Sequence, residues 1–129
     1  MYTIEGEKFK LSECSGKYVF LDFWGTWCGP CKLELPNIIR MAELIPPEKL
    51  LILGIARDDA ATLQKFLKER PLPYPNVLYT DDVLKAWGIQ SFPTTFLINP
   101  SGKVIAKNIR GAKLAEKVKE KIDIYENPS

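Results

Sequence analysis

The chain has 129 residues and 14.7 kDa, with 46% hydrophobic and 26% charged residues, the balance of a globular domain that can bury a core unaided by metal or disulfide staples. Lys and Arg number 18 against 16 Asp and Glu, with no basic run, which argues against nucleic acid as a partner. The absence of histidine removes Ser-His-Asp and Cys-His catalysis, imidazole-ligated zinc and histidine-ligated haem, and three cysteines are too few for a disulfide scaffold or a four-thiolate site.

Apolar positions between Tyr2 and Leu11 alternate about Gly6, which predicts a short N-terminal hairpin. No charged leader precedes an apolar run there, so no secretory signal is expected within the chain. No stretch approaches the roughly 20 apolar residues of a membrane helix. Tyr18 to Trp24 is apolar apart from Asp22 and reads as a buried strand. A helical pattern follows from Cys28 to Ile45, with Leu35, Ile38, Ile39, Ala42 and Ile45 on one face. Pro36 should kink that helix, and Pro46-Pro47 ends it. Leu50 to Ala56 reads as a strand covered on both faces. The next helix turns Leu63, Phe66 and Leu67 inward, with Asp59 as its N-cap and Arg70 to Pro75 as its end. A short helix is expected from Asp82 to Trp87. Strands at Thr94 to Ile98 and Val104 to Ile109 flank the turn Asn99-Pro100-Ser101-Gly102 and should pair as a hairpin. After Gly111, a last helix carries Leu114, Val118, Ile122 and Tyr125 on one side. With no repeat or linker in view, residues 1–125 are expected to form one domain and 126–129 a tail. The element order predicts an α/β domain whose mixed sheet has helices on both faces.

The chemistry points to sulfur. Trp27-Cys28-Gly29-Pro30-Cys31 lies where the first core strand hands over to a helix. Two cysteines at this spacing can close a small disulfide ring within one turn. Cys28 falls at the helix N-terminus, where unpaired N–H groups and the helix dipole favour a thiolate. Cys31, one turn further in, would be covered by the helix and act second. Pro30 suits a first turn, because its missing N–H costs nothing there. Three other readings compete. A purely structural disulfide would add little loop-closure entropy over so short a ring. Zinc would have to recruit Cys14 and a carboxylate. Haem attachment needs a histidine where Lys32 stands. A redox-active pair is favoured over all three.

The segment Leu21-Asp22-Phe23-Trp24-Gly25-Thr26-Trp27-Cys28-Gly29-Pro30-Cys31-Lys32 resembles the active-site segment of the thioredoxin superfamily. The lead-in from Gly6 to Gly16-Lys17, the run Glu34-Leu35-Pro36 and Phe92-Pro93-Thr94-Thr95-Phe96-Leu97-Ile98 carry the likeness further. They point to the extracytoplasmic TlpA/ResA-like thiol-disulfide oxidoreductases, over about Thr3 to Ile122. The resemblance implies a thioredoxin-like fold, a central mixed sheet flanked by helices with an N-terminal β-hairpin. It makes Cys28 the nucleophile and Cys31 the resolving cysteine, with their disulfide as the redox group and no other cofactor or metal. Pro93 matches the superfamily's cis proline facing the pair. It would hold the Phe92 backbone where an extended substrate can pair. Trp27, Gly29 and Pro30 would complete the contact surface, while Trp24 reads as core packing.

Asp22 matches a buried carboxylate beneath the disulfide, against the alternative of an exposed position on an edge strand. Burial would raise its pKa and let it take the Cys31 proton, through water. Glu34 is typical of the branch, yet it reads more simply as an exposed residue favouring the first helical turns. Cys14 has no partner by motif and reads as a small buried apolar residue. Two departures stand out. Leu53-Gly54-Ile55-Ala56 lacks the lysine that cytoplasmic thioredoxins carry on that strand, and Gly29-Pro30 lacks the acidic residue some ResA proteins place between the cysteines.

Gly-Pro is the dipeptide of reducing thioredoxins, with potentials of about −270 mV against about −120 mV for oxidising relatives. The expected function is therefore reduction of protein disulfides. The expected partners are a disulfide-containing protein and an upstream electron-donor thiol protein, with no nucleic acid and no membrane contact by the domain itself. The resemblance places it in the bacterial cell envelope, with the cytoplasm left open. Two alternatives stand beside this reading. One is a thioredoxin-like binding module of a larger envelope protein. The other is a peroxiredoxin-like thiol peroxidase, disfavoured because Thr26 stands two residues before Cys28 rather than three and the accompanying proline is missing.

Overall fold

The apolar run Tyr18–Trp24 becomes β1, the middle strand of five, in the computed structural model, which describes residues 1–128. There follow α1 (Gly29–Leu44), β2 (Leu50–Ala56), α2 (Ala60–Glu69), β3 (Asn76–Leu78) and α3 (Asp81–Ala86). The chain ends with β4 (Thr94–Ile98), β5 (Val104–Lys107) and α4 (Leu114–Glu126). The sheet order is β3-β2-β1-β4-β5, with β1, β2 and β3 parallel and β4 and β5 antiparallel. Every residue of β1 is buried, because the strand is paired on both edges and covered on both faces. That is why it reads as a continuous apolar run rather than an alternating one.

Side chains alternate across the sheet. Tyr18, Phe20 and Trp24 face Ile38 of α1, Leu63 of α2 and Val118 of α4. Val19, Leu21 and Phe23 face the opposite way, towards Val83, Leu84 and Trp87 at α3 and Met1, Phe9 and Leu11 of the N-terminal segment. The mixed sheet with helices on both faces is therefore present as expected.

The bounds of β1, β2 and β4 coincide with the apolar runs, but several local features differ. Strand β3 was not foreseen: it is three residues long, too short for periodicity to register. Tyr2 pairs with Leu78 through Leu78 N–H to Tyr2 O at 2.6 Å and Tyr2 N–H to Leu78 O at 3.2 Å, covering this edge of the sheet. The N-terminal hairpin closes through Phe9 N–H to Met1 O and Thr3 N–H to Glu7 O, both 2.8 Å, with one ladder bridge at Tyr2 and Lys8. A 3-10 turn at Leu11–Cys14 was also unforeseen. Strand β5 stops at Lys107 instead of Ile109, because Asn108 takes φ 56° and its side-chain oxygen accepts from Thr95 N–H at 3.1 Å.

Helix α1 runs uninterrupted across Pro36, and Met41 occupies the buried position assigned to Ile39. Helix α4 takes in Glu126, one residue of the expected tail, and the Glu126 carboxylate accepts from Lys49 Nζ at 2.8 Å. Ser129 lies outside the described residues.

Candidate active site

Cys28 is the residue at which the chain turns from loop into helix. Its backbone is extended, its Sγ accepts from Cys31 N–H at 3.2 Å, and α1 begins at the next residue with Pro30 in the first turn. Cys28 and Cys31 are joined as a disulfide, their Cα atoms 5.3 Å apart. Both are buried, Cys31 the more completely, in a cluster with Trp24, Leu35, Ala56 and Leu63.

The loop that delivers Cys28 is clamped to the loop between β2 and α2. Thr26 donates twice to Asp58, from its backbone N–H at 2.9 Å and its hydroxyl at 2.6 Å. Trp27 Nε1 donates to Arg57 O, and Arg57 N–H to Trp24 O, each at 2.8 Å. Gly25 leaves room for the Trp27 indole, which a Cβ at that position would meet.

Trp27 is 54% exposed and meets Phe92 edge-on, with ring centroids 5.4 Å apart. The Phe92–Pro93 peptide is cis. Pro93 is buried, and its carbonyl accepts from Arg110 Nη2 at 3.4 Å. Gly29 and Pro30 are exposed on the first turn of α1. Trp24 is wholly buried, edge-on to Phe66 at 5.4 Å, the core role expected of it.

Asp22 is 2% exposed in the central strand, so the edge-strand alternative falls. It lies two residues before Trp24 on the α1 side of the sheet, and its Oδ1 has no hydrogen-bond partner among the described residues. Burial, reinforced by the negative charge of Glu34, pushes its carboxyl up from 3.8 to about 7. Its neighbours across the sheet are Gly54 and Thr95, neither of them a cation. Gly54 has no room for a side chain. A Cβ there would run into Asn76 Oδ1 and the Trp24 indole nitrogen, which are hydrogen-bonded to each other at 2.8 Å in the core.

The exposed reading of Glu34 is corrected: Glu34 is buried. Its Oε1 accepts from Gly111 N–H at 2.8 Å and its Oε2 from Asn37 Nδ2 at 3.2 Å, tying α1 to the approach to α4. Spacing offered a signal for this, since Glu34 falls three residues after Cys31 and four before Ile38, both of which face inward. For Arg57, Asp58 and Asn76 the sequence offers no comparable local pattern. Such a site can exchange disulfides: a sulfur pair backed by core, a helix N-terminus at one sulfur, and a buried carboxyl that changes charge near neutrality.

Comparison with known proteins agrees with this chemistry. A family model described as "AhpC/TSA family" matches residues 1–107. The chain is 40% identical over 102 residues to the thiol-disulfide oxidoreductase ResA of Bacillus subtilis, spanning 78% of this chain and 57% of that protein. It is 36% identical over 122 residues to the thiol-disulfide oxidoreductase ResA of Geobacillus thermodenitrificans, spanning 93% of this chain and 70% of the relative. Among solved structures, it is similar to the thioredoxin domain of a thiol-disulfide oxidoreductase from Bacteroides vulgatus, with TM-score 0.84 and 29% identity. That match covers 92% of this chain and 89% of the other. StoA from Bacillus subtilis superposes with TM-score 0.76 at 30% identity, over 95% and 93% of the two chains.

Proposed function

The chain belongs to the AhpC/TSA family within the thioredoxin superfamily, and from that premise we propose that it is a thiol-disulfide oxidoreductase that reduces protein disulfides. One observation carries the reading: the Cys28–Cys31 disulfide sits at the N-terminus of α1, on the sheet face that buries Asp22.

In the reduced protein, the Cys28 thiolate attacks one sulfur of a substrate cystine. The substrate S–S bond breaks, one substrate sulfur leaves as a thiolate and takes a proton, and Cys28 holds the other in a mixed disulfide. Cys31 gives its proton to the Asp22 carboxylate, through a water, and attacks Cys28 Sγ. The second substrate sulfur is released, the Cys28–Cys31 disulfide forms, and two electrons have passed to the substrate. The redox group is that disulfide, with no further cofactor. Trp27, Gly29, Pro30 and the Phe92–Pro93 backbone supply the contact surface on which an extended substrate lies. Gly29-Pro30 between the cysteines supports the reducing direction. The partners are a disulfide-containing protein and a separate thiol protein that re-reduces the pair. The working compartment is the bacterial cell envelope.

Reduction of insulin disulfides tests this. Dithiol-dependent turnover is expected, lost in Cys28→Ser, while Cys31→Ser accumulates mixed disulfides with its substrate. No turnover, or turnover that survives Cys28→Ser, sinks the reading. Equilibration with glutathione tests direction: a potential near about −270 mV supports a reductase, and one near about −120 mV an oxidant.

A further inference from the structure

The first turns of α1 leave a large amount of apolar surface in water beside the sulfur pair. Leu33 is 80% exposed, and Pro30 and Pro36 are exposed with it. They line a trough of about 660 Å³ together with Gly29, Lys32 and Arg70, and no carboxylate lines it. Taking exposed apolar surface out of water is favourable, so this surface suits a partner's apolar side chain.

The rim is cationic. Arg70 lies over the Phe66 ring at 5.5 Å, and Arg57 over the Tyr79 and Phe92 rings at 5.9 Å each. Arg110 reaches the Pro93 carbonyl, and Lys32 lines the trough itself. Among the described residues, none of these four has a carboxylate within ion-pair reach. Two acids of the neighbouring loops and of α1 accept hydrogen bonds from neutral groups, Asp58 from Thr26 and Glu34 from Gly111 and Asn37. Four cations, Lys32, Arg57, Arg70 and Arg110, thus stand on the segments that frame the sulfur pair and its cis proline.

We propose that this trough and its rim dock a disulfide-bearing protein whose reactive cystine is flanked by an apolar residue and by acidic side chains. The proposal rests on the oxidoreductase reading and names its substrate class. The apolar residue packs on Leu33, Pro30 and Pro36. Carboxylates meet Arg70 and Lys32 along the trough, and Arg57 and Arg110 beside the cis proline. A guanidinium can take a carboxylate in its planar fork, two N–H groups to two oxygens. A cystine flanked by lysines would instead meet like charge at these four residues.

Two cystine-bridged peptides decide it, identical in an apolar residue beside the bridge and differing only in glutamate or lysine flanks. Their rates of reduction by the reduced full chain are compared at low and high salt, with hydroxyethyl disulfide as a neutral reference. The glutamate peptide is expected to react about tenfold faster at low salt, with the gap closing as salt screens the rim. In the double variant Arg57→Glu with Arg70→Glu, the preference inverts. Because the ratio is read within each protein, any general loss of rate cancels. Equal rates for the two peptides at low salt, or a preference unmoved in the double variant, overturns the docking surface and leaves the oxidoreductase reading standing. Failure to reduce either peptide or hydroxyethyl disulfide removes both.

Discussion

Cys28 and Cys14 are comparably buried, yet they sit on opposite faces of the sheet in opposite surroundings. Cys28 accepts a backbone N–H at the N-terminus of a sixteen-residue helix, with an arginine, two aromatic rings and a cis proline around its loop. Cys14 ends a 3-10 turn and lines a cavity of about 230 Å³ with Leu11, Val19 and Trp87. Burial pushes its thiol up, and Glu13 adds to the push against a smaller pull from Lys17. Burial alone therefore does not decide what a cysteine does. A helix N-terminus at Cys28 favours a thiolate there, whereas burial and Glu13 outweigh Lys17 at Cys14.

The sharpest way to break this contrast is to exchange each sulfur for oxygen. Cys28→Ser is expected to cut insulin reduction by at least about a thousandfold, whereas Cys14→Ser should stay within about twofold of the parent. A Cys14→Ser protein as inactive as Cys28→Ser would show that the far face takes part in the chemistry.

Asp22 comes next, because it belongs to the Cys28 face alone. Its carboxyl is raised in the fold from 3.8 to about 7, so the folded state keeps a proton that the unfolded chain has lost. The stability it lends is present below about pH 4 and is lost as pH rises towards 7. At about 1.4 kcal/mol per pH step, the loss is about 4 kcal/mol. Asp22→Asn should remove this slope, making the variant more stable than the parent at pH 8 and little different at pH 4, as read by urea unfolding. The same variant should slow resolution of the mixed disulfide by about tenfold to a hundredfold above pH 7. An unaltered pH–stability slope would show that this carboxyl does not titrate as its burial demands.

The smallest effect concerns the Trp24–Asn76 pair. Asn76→Leu leaves the buried indole N–H without its 2.8 Å partner, which should cost about 2 kcal/mol in urea unfolding. A cost near zero would mean that the indole finds another acceptor, and that Gly54 is not held open for this pair.

Much of this was legible beforehand. The runs Tyr18–Trp24, Leu50–Ala56 and Thr94–Ile98 announce their strands because each is apolar over a strand's length and bounded by turn chemistry. Asp59 was readable as a cap from its place before a helical pattern, and its carboxylate accepts from Thr62 N–H at 2.8 Å. Strand β3 was not readable. Three residues carry no period, and what makes them a strand is pairing with β2 on one side and Tyr2 on the other. Glu34 misled because a glutamate in a first turn is usually solvated, and nothing local announces that Gly111 will come to meet it.

The sulfur pair, its place at a strand-to-helix junction, the acid six residues upstream and the order of the elements can all be read along the chain. Periodicity, caps and turns act over a few residues, and a few residues suffice to read them. What surrounds that pair depends on packing. The Thr26–Asp58, Trp24–Asn76 and Glu34–Gly111 bonds join residues 32, 52 and 77 apart in the chain. The placing of Arg70 beside Leu33, and of Arg57 and Arg110 beside the Phe92–Pro93 peptide, is likewise set by how layers pack. Hydrogen-bond satisfaction and charge compensation depend on distance in space, which no local pattern in the chain records.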